Sequence, residues 1–290
     1  MKYQFMKDHR SSFSVQKMCR YLEVSKSGYY DYLSRGVSRR LSDEKELAEA
    51  MKKIKGNKHK KAYGAPRMVR DLKDEGYEVG KHRVARIMKK YGLQAQTPKK
   101  WKVTTNSKHS YPVAPNLVNQ EFEVAEMNQL WTSDITYVWT EEGWLYGAVV
   151  FEAKNRQVIG WSSSSRMTQD LVLKAVRQAL WRRKPGHGVI FHSDRGSQYA
   201  ATKVQEFLKE HGFKQSMSKK GDCYDNAITE SFFHTLKNEH VHFETFKTRQ
   251  EAKTSLFEYI EVFYNRERRH SSLGYLSPVN YEKMLLAQAA

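Results

Sequence analysis

Asp134, Asp194 and Glu230 are the residues whose types and surroundings could do chemistry. Asp134 interrupts WTSDITY, whose other residues favour burial, and an aspartate there is depleted in strands and costly to bury without a partner. Asp194 closes VIFHSDRGSQY, where Gly196 offers the chain a sharp exit. Glu230 lies in GDCYDNAITESFFHTLKNEH. Drawn as a helix, that segment puts Ile228, Phe232, Thr235 and Leu236 on one face and Asn226, Glu230, His234 and Lys237 on the other, so a carboxylate and an ammonium point the same way. Taken singly, each acid also reads as a turn cap, a loop residue or a solvated helix face. Brought together, three carboxylates repel one another unless a cation neutralises them, and hard oxygen ligands select Mg²⁺ or Mn²⁺. Two such ions about 3.5–4 Å apart suit phosphodiester displacement, activating the attacking oxygen and stabilising the departing one. Zinc held through His187 and His192 lacks a third ligand at useful spacing.

The elements that must position these acids follow from periodicity. Residues 129–139, 144–152 and 157–163 are rich in β-branched and aromatic residues and are separated by the turn-like EEG and AKN, which predicts a three-stranded antiparallel meander. A helix over 168–182, a strand over 188–192, a helix over 200–211, a strand over 213–217 and helices over 225–240 and 248–264 follow. This is the element order of a ribonuclease-H-like sheet. If the first and fourth strands are neighbours, Asp134 and Asp194 meet at one edge of the sheet, and Glu230 arrives on a helix packed beside them.

The chain carries a formal charge of +18, unevenly placed. Residues 1–110 hold 28 Lys and Arg against 11 Asp and Glu, whereas residues 111–290 hold 22 against 21. A basic half of this size suits a polyphosphate partner. Within it, residues 14–34 and 65–92 each show the rhythm of a helix-turn-helix, with Ser25 as a cap in the first and Gly76 and Gly92 as helix stops in the second. Residues 43–55 supply the first helix of a three-helix unit whose outward positions Lys81, His82, Arg83, Arg86, Lys89 and Lys90 are nearly all basic. From Thr97 to Asn128 the periodicity fails, and Lys99, Lys100, Lys102 and Lys108 flank Trp101, as in a linker lying along DNA. Near the end, Arg266, Arg268, Arg269 and His270 follow the last expected helix, either completing its end or touching DNA. The expected organisation is thus all-α helix-turn-helix units over 1–40 and 41–96, a basic linker over 97–127, an α/β ribonuclease-H-like core with a mixed five-stranded sheet over 128–265, and a basic extension over 266–290. No run approaches the ~18 apolar residues of a membrane span, and the N-terminus lacks a signal peptide's apolar stretch, so a cytoplasmic, nucleoid-associated chain with no membrane partner is expected. Cys19 and Cys223 are too few for a disulfide framework.

WTSDITY around Asp134, FHSDRGSQYAA around Asp194 and SKKGDCYDNAITESFFHTLKNE around Glu230, with YGAPR at 63–67, KHRVARIMKKYGL at 81–93 and YNRERRHSSLGYLSP at 264–278, carry a family resemblance over essentially the whole chain. The sequence resembles the transposases encoded by the second reading frame of the bacterial insertion-sequence-three family, within the retroviral-integrase-like superfamily. Thirty-five residues lie between Asp194 and Glu230, and Lys237 follows seven positions after Glu230, as in that superfamily. The resemblance implies a DNA strand transferase and endonuclease in which Asp134, Asp194 and Glu230 are catalytic and hold two Mg²⁺ ions, with Mn²⁺ able to substitute. Lys237 is then the phosphate contact beside the cut, with Asn226 and His234 as lesser DNA contacts. Arg67, Lys81, Arg83, Arg86, Lys89, Trp101 and Arg269 complete the expected DNA-binding set. The implied partners are double-stranded DNA, as inverted-repeat ends and target, further copies of the chain on that DNA, and the first-reading-frame product as fusion or partner. Two rival readings stay open at this level: a nuclease or junction resolvase with the same acids and no joining step, and a DNA-binding regulator with an inactive core.

Overall fold

The computed structural model describes residues 1–35, 39–96, 112–219 and 226–289. Its centre is a five-stranded sheet in the order β3-β2-β1-β4-β5. The strands are β1 (Leu130–Val138), β2 (Leu145–Glu152), β3 (Val158–Ser164), β4 (Ile190–Ser193) and β5 (Lys214–Met217). β1 pairs antiparallel with β2, and β2 with β3, while β4 runs parallel to both β1 and β5. Alternation along these strands feeds two apolar layers. Leu130, Val138, Val149, Phe151 and Val158 face one layer, and Trp131, Ala148, Val150, Ile159 and Phe191 the other. The second layer is closed by α7 (Gln169–Arg183), the one-turn α8 (Ser197–Ala200) and α9 (Thr202–Glu210). α7 approaches so closely that a Cβ on Gly160 would lie 2.2 Å from the Ala175 carbonyl oxygen, so only glycine fits there.

The first layer is closed by α10 (Ala227–Glu239), α11 (Arg249–Phe257) and a π-helical continuation, Glu258–Tyr264. α10 docks through Ile228, Phe232, Phe233 and Leu236. The helices expected over 225–240 and 248–264 are therefore present, the second with a change of winding where Tyr259, Ile260, Phe263 and Tyr264 all turn inward.

Ahead of the core, α4 (Arg39–Gly56), α5 (Ala65–Asp74) and α6 (Lys81–Lys90) enclose their own cluster, including Leu47, Met51, Met68, Leu72, Val84 and Ile87. Gly76 and Gly92 end α5 and α6 with φ of +89° and +67°, a region glycine enters without strain. α1 (Lys2–Asp8), α2 (Val15–Leu22) and α3 (Lys26–Ser34) pack around Met6, Met18 and Tyr29. The Ser25 hydroxyl caps α3 by accepting from the Gly28 N–H at 3.0 Å.

The C-terminal stretch differs from the expected basic extension. Residues beyond 265 turn back through a short 3₁₀ segment, Ser271–Leu273, into a further helix, α12 (Pro278–Ala289). The Asn155 amide and the Arg183 guanidinium both bond Glu282 of that helix, which ties α12 to the core.

The loop before α5 inserts Tyr63 into the first apolar layer, and His59 lies beside it, 5.0 Å from the rings of both His240 and Phe263. Burial, followed by the neighbouring His59 and Lys58 charges, depresses His240 to about 3. The folded protein thus keeps this imidazole neutral at pH values where the unfolded chain binds a proton, so its contribution to stability is complete above about pH 6.5 and is lost as pH falls toward 3. We expect the unfolding free energy to fall between pH 7 and pH 5 by about 1 kcal/mol per pH unit through this group, with His240→Gln flattening the dependence; equal slopes in the two proteins would rule this out.

Candidate active site

The register of β1 against β4 brings two of the three acids together. Ser133 is paired with Ser193, so Asp134 and Asp194 are the next positions on neighbouring parallel strands. Both continue the alternation of Leu130 and Ile190, which face the α10 layer. α10 is fixed to β1 at that point, where the buried Thr229 hydroxyl bonds the Thr132 hydroxyl at 2.7 Å. Glu230, the next residue, is exposed.

Asp134 is half-buried and accepts the Ile135 N–H at 2.7 Å. Burial and the Asp194 charge, with a smaller push from Glu230, hold its carboxyl well above the usual carboxylate range, against the pull of the Ile135 N–H and the Lys237 ammonium. Asp194 accepts the Gly196 N–H at 2.9 Å. Gly196 matters through space, not through an unusual φ: a Cβ there would meet the Asp194 carboxylate at 2.9 Å. Partial burial raises Glu230 as well.

Beneath the acids, the buried Tyr199 hydroxyl meets the Ser133 hydroxyl at 2.9 Å, and Ser133 donates to the Val149 carbonyl at 2.7 Å. Sequence reasoning missed Tyr199 as a support; its place in SDRGSQY, five residues after Asp194, was the available signal. His192 is buried with its ring nitrogens against Ser216 at 2.8 Å and Ser218 at 3.3 Å, a serine cradle that leaves the zinc reading without a basis.

The donor set of the three acids is all oxygen, and repulsion among them is what a divalent cation would relieve, so the residues present fit one. Among the described residues no three His, Cys, Asp or Glu side chains are grouped closely enough to hold a metal ion, and Glu230 is exposed.

The remaining expected contacts fall into two groups. Lys237 is half-buried and depressed by that burial, with its ammonium 4.8 Å from the centre of the Tyr137 ring. His234 is exposed and bonds Asn238 at 2.6 Å. Lys81, Arg86 and Lys89 are exposed on α6, with Arg83 beside them; Arg86 lies 3.4 Å from Glu44, a buried acid that Lys90 also pairs. Trp101 lies outside the described residues.

Three of the expected contacts turn inward instead. Asn226, at the N-cap of α10, is buried, and its side-chain oxygen has no hydrogen-bond partner among the described residues, which removes it from the open face. Arg67 bonds Glu239 at 2.7 Å and lies over the Tyr63 ring. Arg269 bonds Asp71 at 2.5 Å and pairs with Asp74. Both guanidiniums join α5 to the core.

If α6 tracks a DNA backbone, replacing Arg83 and Arg86 together with alanine is expected to weaken binding to element ends and to reduce the slope of log affinity against log salt by about 2. An unchanged slope in a titration would show that these side chains do not touch phosphate.

Residues 124–223 match a family described as "Integrase core domain", residues 230–286 a second family of the same description, and residues 42–101 an "HTH-like domain". Sheet, acids and matches together define an integrase-type catalytic core joined to a helix-turn-helix unit. Over 290 residues the chain is 43% identical to the "Transposase InsF for insertion sequence IS3A" of Escherichia coli (strain K12), covering 99% of this chain and all of that one. It is also 43% identical over 274 residues to the "Insertion element IS600 uncharacterized 31 kDa protein" of Shigella sonnei, covering 94% of this chain and all of that one. The catalytic core domain of BIV integrase is similar over 56% of this chain and 99% of its own, at 17% identity and a TM-score of 0.41. The chain belongs to the IS3 family of transposases.

Proposed function

We propose that this transposase cleaves the ends of its element and joins the freed 3′-hydroxyls to DNA, with Asp134, Asp194 and Glu230 as its catalytic acids. The observation that carries this reading is the register that sets Asp134 beside Asp194, facing the helix of Glu230. The three carboxylates would hold two Mg²⁺ ions, with Mn²⁺ able to substitute. Bound there, such ions supply activation of the attacking oxygen and charge stabilisation of the leaving one.

The chain's own residues hold and orient. Lys237 presents an ammonium beside Asp134, suited to the phosphate next to the scissile bond. Tyr199 and Ser133 fix the backbone that carries Asp134, and Thr229 fixes the turn of α10 that carries Glu230. Water attacks the phosphorus of one phosphodiester and expels the 3′-oxygen as a hydroxyl, leaving a 5′-phosphate; that 3′-hydroxyl then attacks the phosphorus of a second phosphodiester and expels its 3′-oxygen. Each step is a direct exchange of oxygens at phosphorus, so no side-chain nucleophile is required.

Double-stranded DNA is the partner, with α6 and its basic face on the element end. Further copies of the chain would bring the two ends together, with the first-reading-frame product as fusion or companion. The test is incubation of the full-length protein with Mg²⁺ and DNA flanking its own gene, followed by sequencing of new junctions. Joined 3′ ends support the reading; nicks without joining would make the protein a nuclease.

A further inference from the structure

The hairpin that continues β1 beyond Asp134 carries an aromatic ladder that the reaction above leaves unused. Lys237 lies 4.8 Å from the centre of the Tyr137 ring. Tyr137 meets Trp144 edge to face at 5.0 Å, and Trp144 meets Trp139 in the same way at 4.8 Å. Trp139 and Trp144 are 58% and 42% exposed.

Large apolar rings left in water on a floppy loop would carry little meaning, but this loop is locked. The Gly143 N–H bonds the Thr140 carbonyl at 2.9 Å, and the Thr140 hydroxyl returns to the Gly143 carbonyl at 2.7 Å. Gly143 adopts φ +99°, which glycine alone enters without strain. The tip is pinned to the segment before α11 by the Glu141 N–H on the Phe246 carbonyl at 3.1 Å and to the first residue of α11 by Arg249 on the Trp144 carbonyl at 3.1 Å. The pair of indoles is therefore held in place before any ligand arrives, which lowers the ordering cost of binding.

Lys237 stands at the foot of the ladder, and Arg249 bonds the Trp144 carbonyl. Of the acids at the tip, Glu142 already accepts the Arg249 backbone N–H at 2.9 Å, and Glu141 is exposed. An exposed aromatic pair reached from an acid cluster past a lysine suits a strand whose phosphates follow the cation and whose base lies on the rings. Trp139 lies five residues beyond Asp134, about 17 Å along extended chain, or about five nucleotides at the 3.4 Å duplex rise and fewer if the strand is stretched. Bases inside a duplex have no free face to offer, so the base must be unpaired.

We propose that Trp139 and Trp144 form a stacking platform for an unpaired nucleobase of the DNA strand that passes Lys237 toward Asp134 and Asp194. The proposal rests on the strand-transfer reading for the path of the DNA, but its test requires no chemistry.

Full-length protein carrying Asp134→Asn is titrated with duplex element-end DNA and with the same duplex bearing a single-stranded tail of about five nucleotides at the cleavage side. Adding Trp139→Ala and Trp144→Ala is expected to weaken tailed DNA by about tenfold, the size of one lost stacking contact, and to leave the fully paired duplex unchanged. 5-Iodouracil placed in the tail should photo-crosslink to peptides containing Trp139 or Trp144. An equal loss on both DNAs, no loss on either, or crosslinks mapping elsewhere overturns the platform. A change of oligomeric state in light scattering, with affinity for the tail intact, would make the pair a contact between copies and also overturns it. Cleavage by the protein with Asp134 intact, scored alongside, reports on the strand-transfer reading separately.

Discussion

Replacing Asp134 with asparagine is expected to abolish end cleavage and joining while leaving DNA binding intact and making the free protein more stable. Asparagine keeps the shape of the side chain and can still accept the Ile135 N–H, but it removes the charge that burial, Asp194 and Glu230 all disfavour. A carboxyl raised above its unfolded value costs stability, and the cost is relieved progressively as pH falls from the raised folded value and is gone below the unfolded value of 3.8. At neutral pH the variant should therefore unfold at a higher denaturant concentration than the parent protein. Activity should fall by at least about a thousandfold, since a metal-assisted displacement loses several kcal/mol when a ligand charge is removed. Asp194→Asn and Glu230→Gln should match it in activity. Mg²⁺ should raise the melting temperature of the protein with all three acids and not that of Asp134→Asn. Retention of strand transfer by any one of the three variants would remove that residue from the metal site.

Glu239→Gln should have the largest effect on stability. Glu239 sits on the last turn of α10, two turns beyond Glu230, and is buried between two guanidiniums. Arg268 donates to it at 2.6 and 2.8 Å, Arg67 at 2.7 Å, and the Tyr259 hydroxyl at 3.3 Å. The Arg268 and Arg67 charges outweigh the cost of burial and hold the Glu239 carboxyl down to about 2. Its stabilising contribution is thus complete above about pH 4.5 and is lost as pH falls toward 2. Glutamine would leave two cations facing each other without an anion between them. The expected loss is about 3–5 kcal/mol, a fall in melting temperature of about 10 °C. Because α10 also carries Glu230 and Lys237, transposition should suffer even below the new melting point. A melting temperature within 2 °C of the parent protein would show that solvent screens the network.

What could be read in advance was whatever depends on short-range pattern. A mid-strand aspartate is anomalous within seven residues, the two faces of α10 follow from its period, and the alternation of strands and helices sets the order of the sheet. Arg67 and Arg269 show where that legibility stops. An arginine on an amphipathic helix looks the same whether it meets water, phosphate or a carboxylate 172 or 198 positions away. Asn226 is placed differently for a related reason: its angular position follows from an ideal helix, but it stands at the N-cap, where the backbone has not yet entered the helix. The basic extension expected over 266–290 rested on Arg266, Arg268, Arg269 and His270, read as completing a helix end or touching DNA, whereas Arg268 is 4% exposed and α12 begins beyond those charges.

The docking of α5 against the core also decides what can be cut out of this chain and still fold. A fragment ending at Asn265, where the last expected helix stops, would lose Arg268 and Arg269 together. It would leave Glu239 with a single cation and Asp71 with only Lys60. A fragment beginning at the sheet would instead lose Arg67 and withdraw Tyr63 from the first apolar layer. Catalytic core, helix-turn-helix unit and C-terminal strap are separable on paper by sequence pattern, but buried ion pairs join them, and a fragment that omits one is expected to melt at a lower temperature than the full chain.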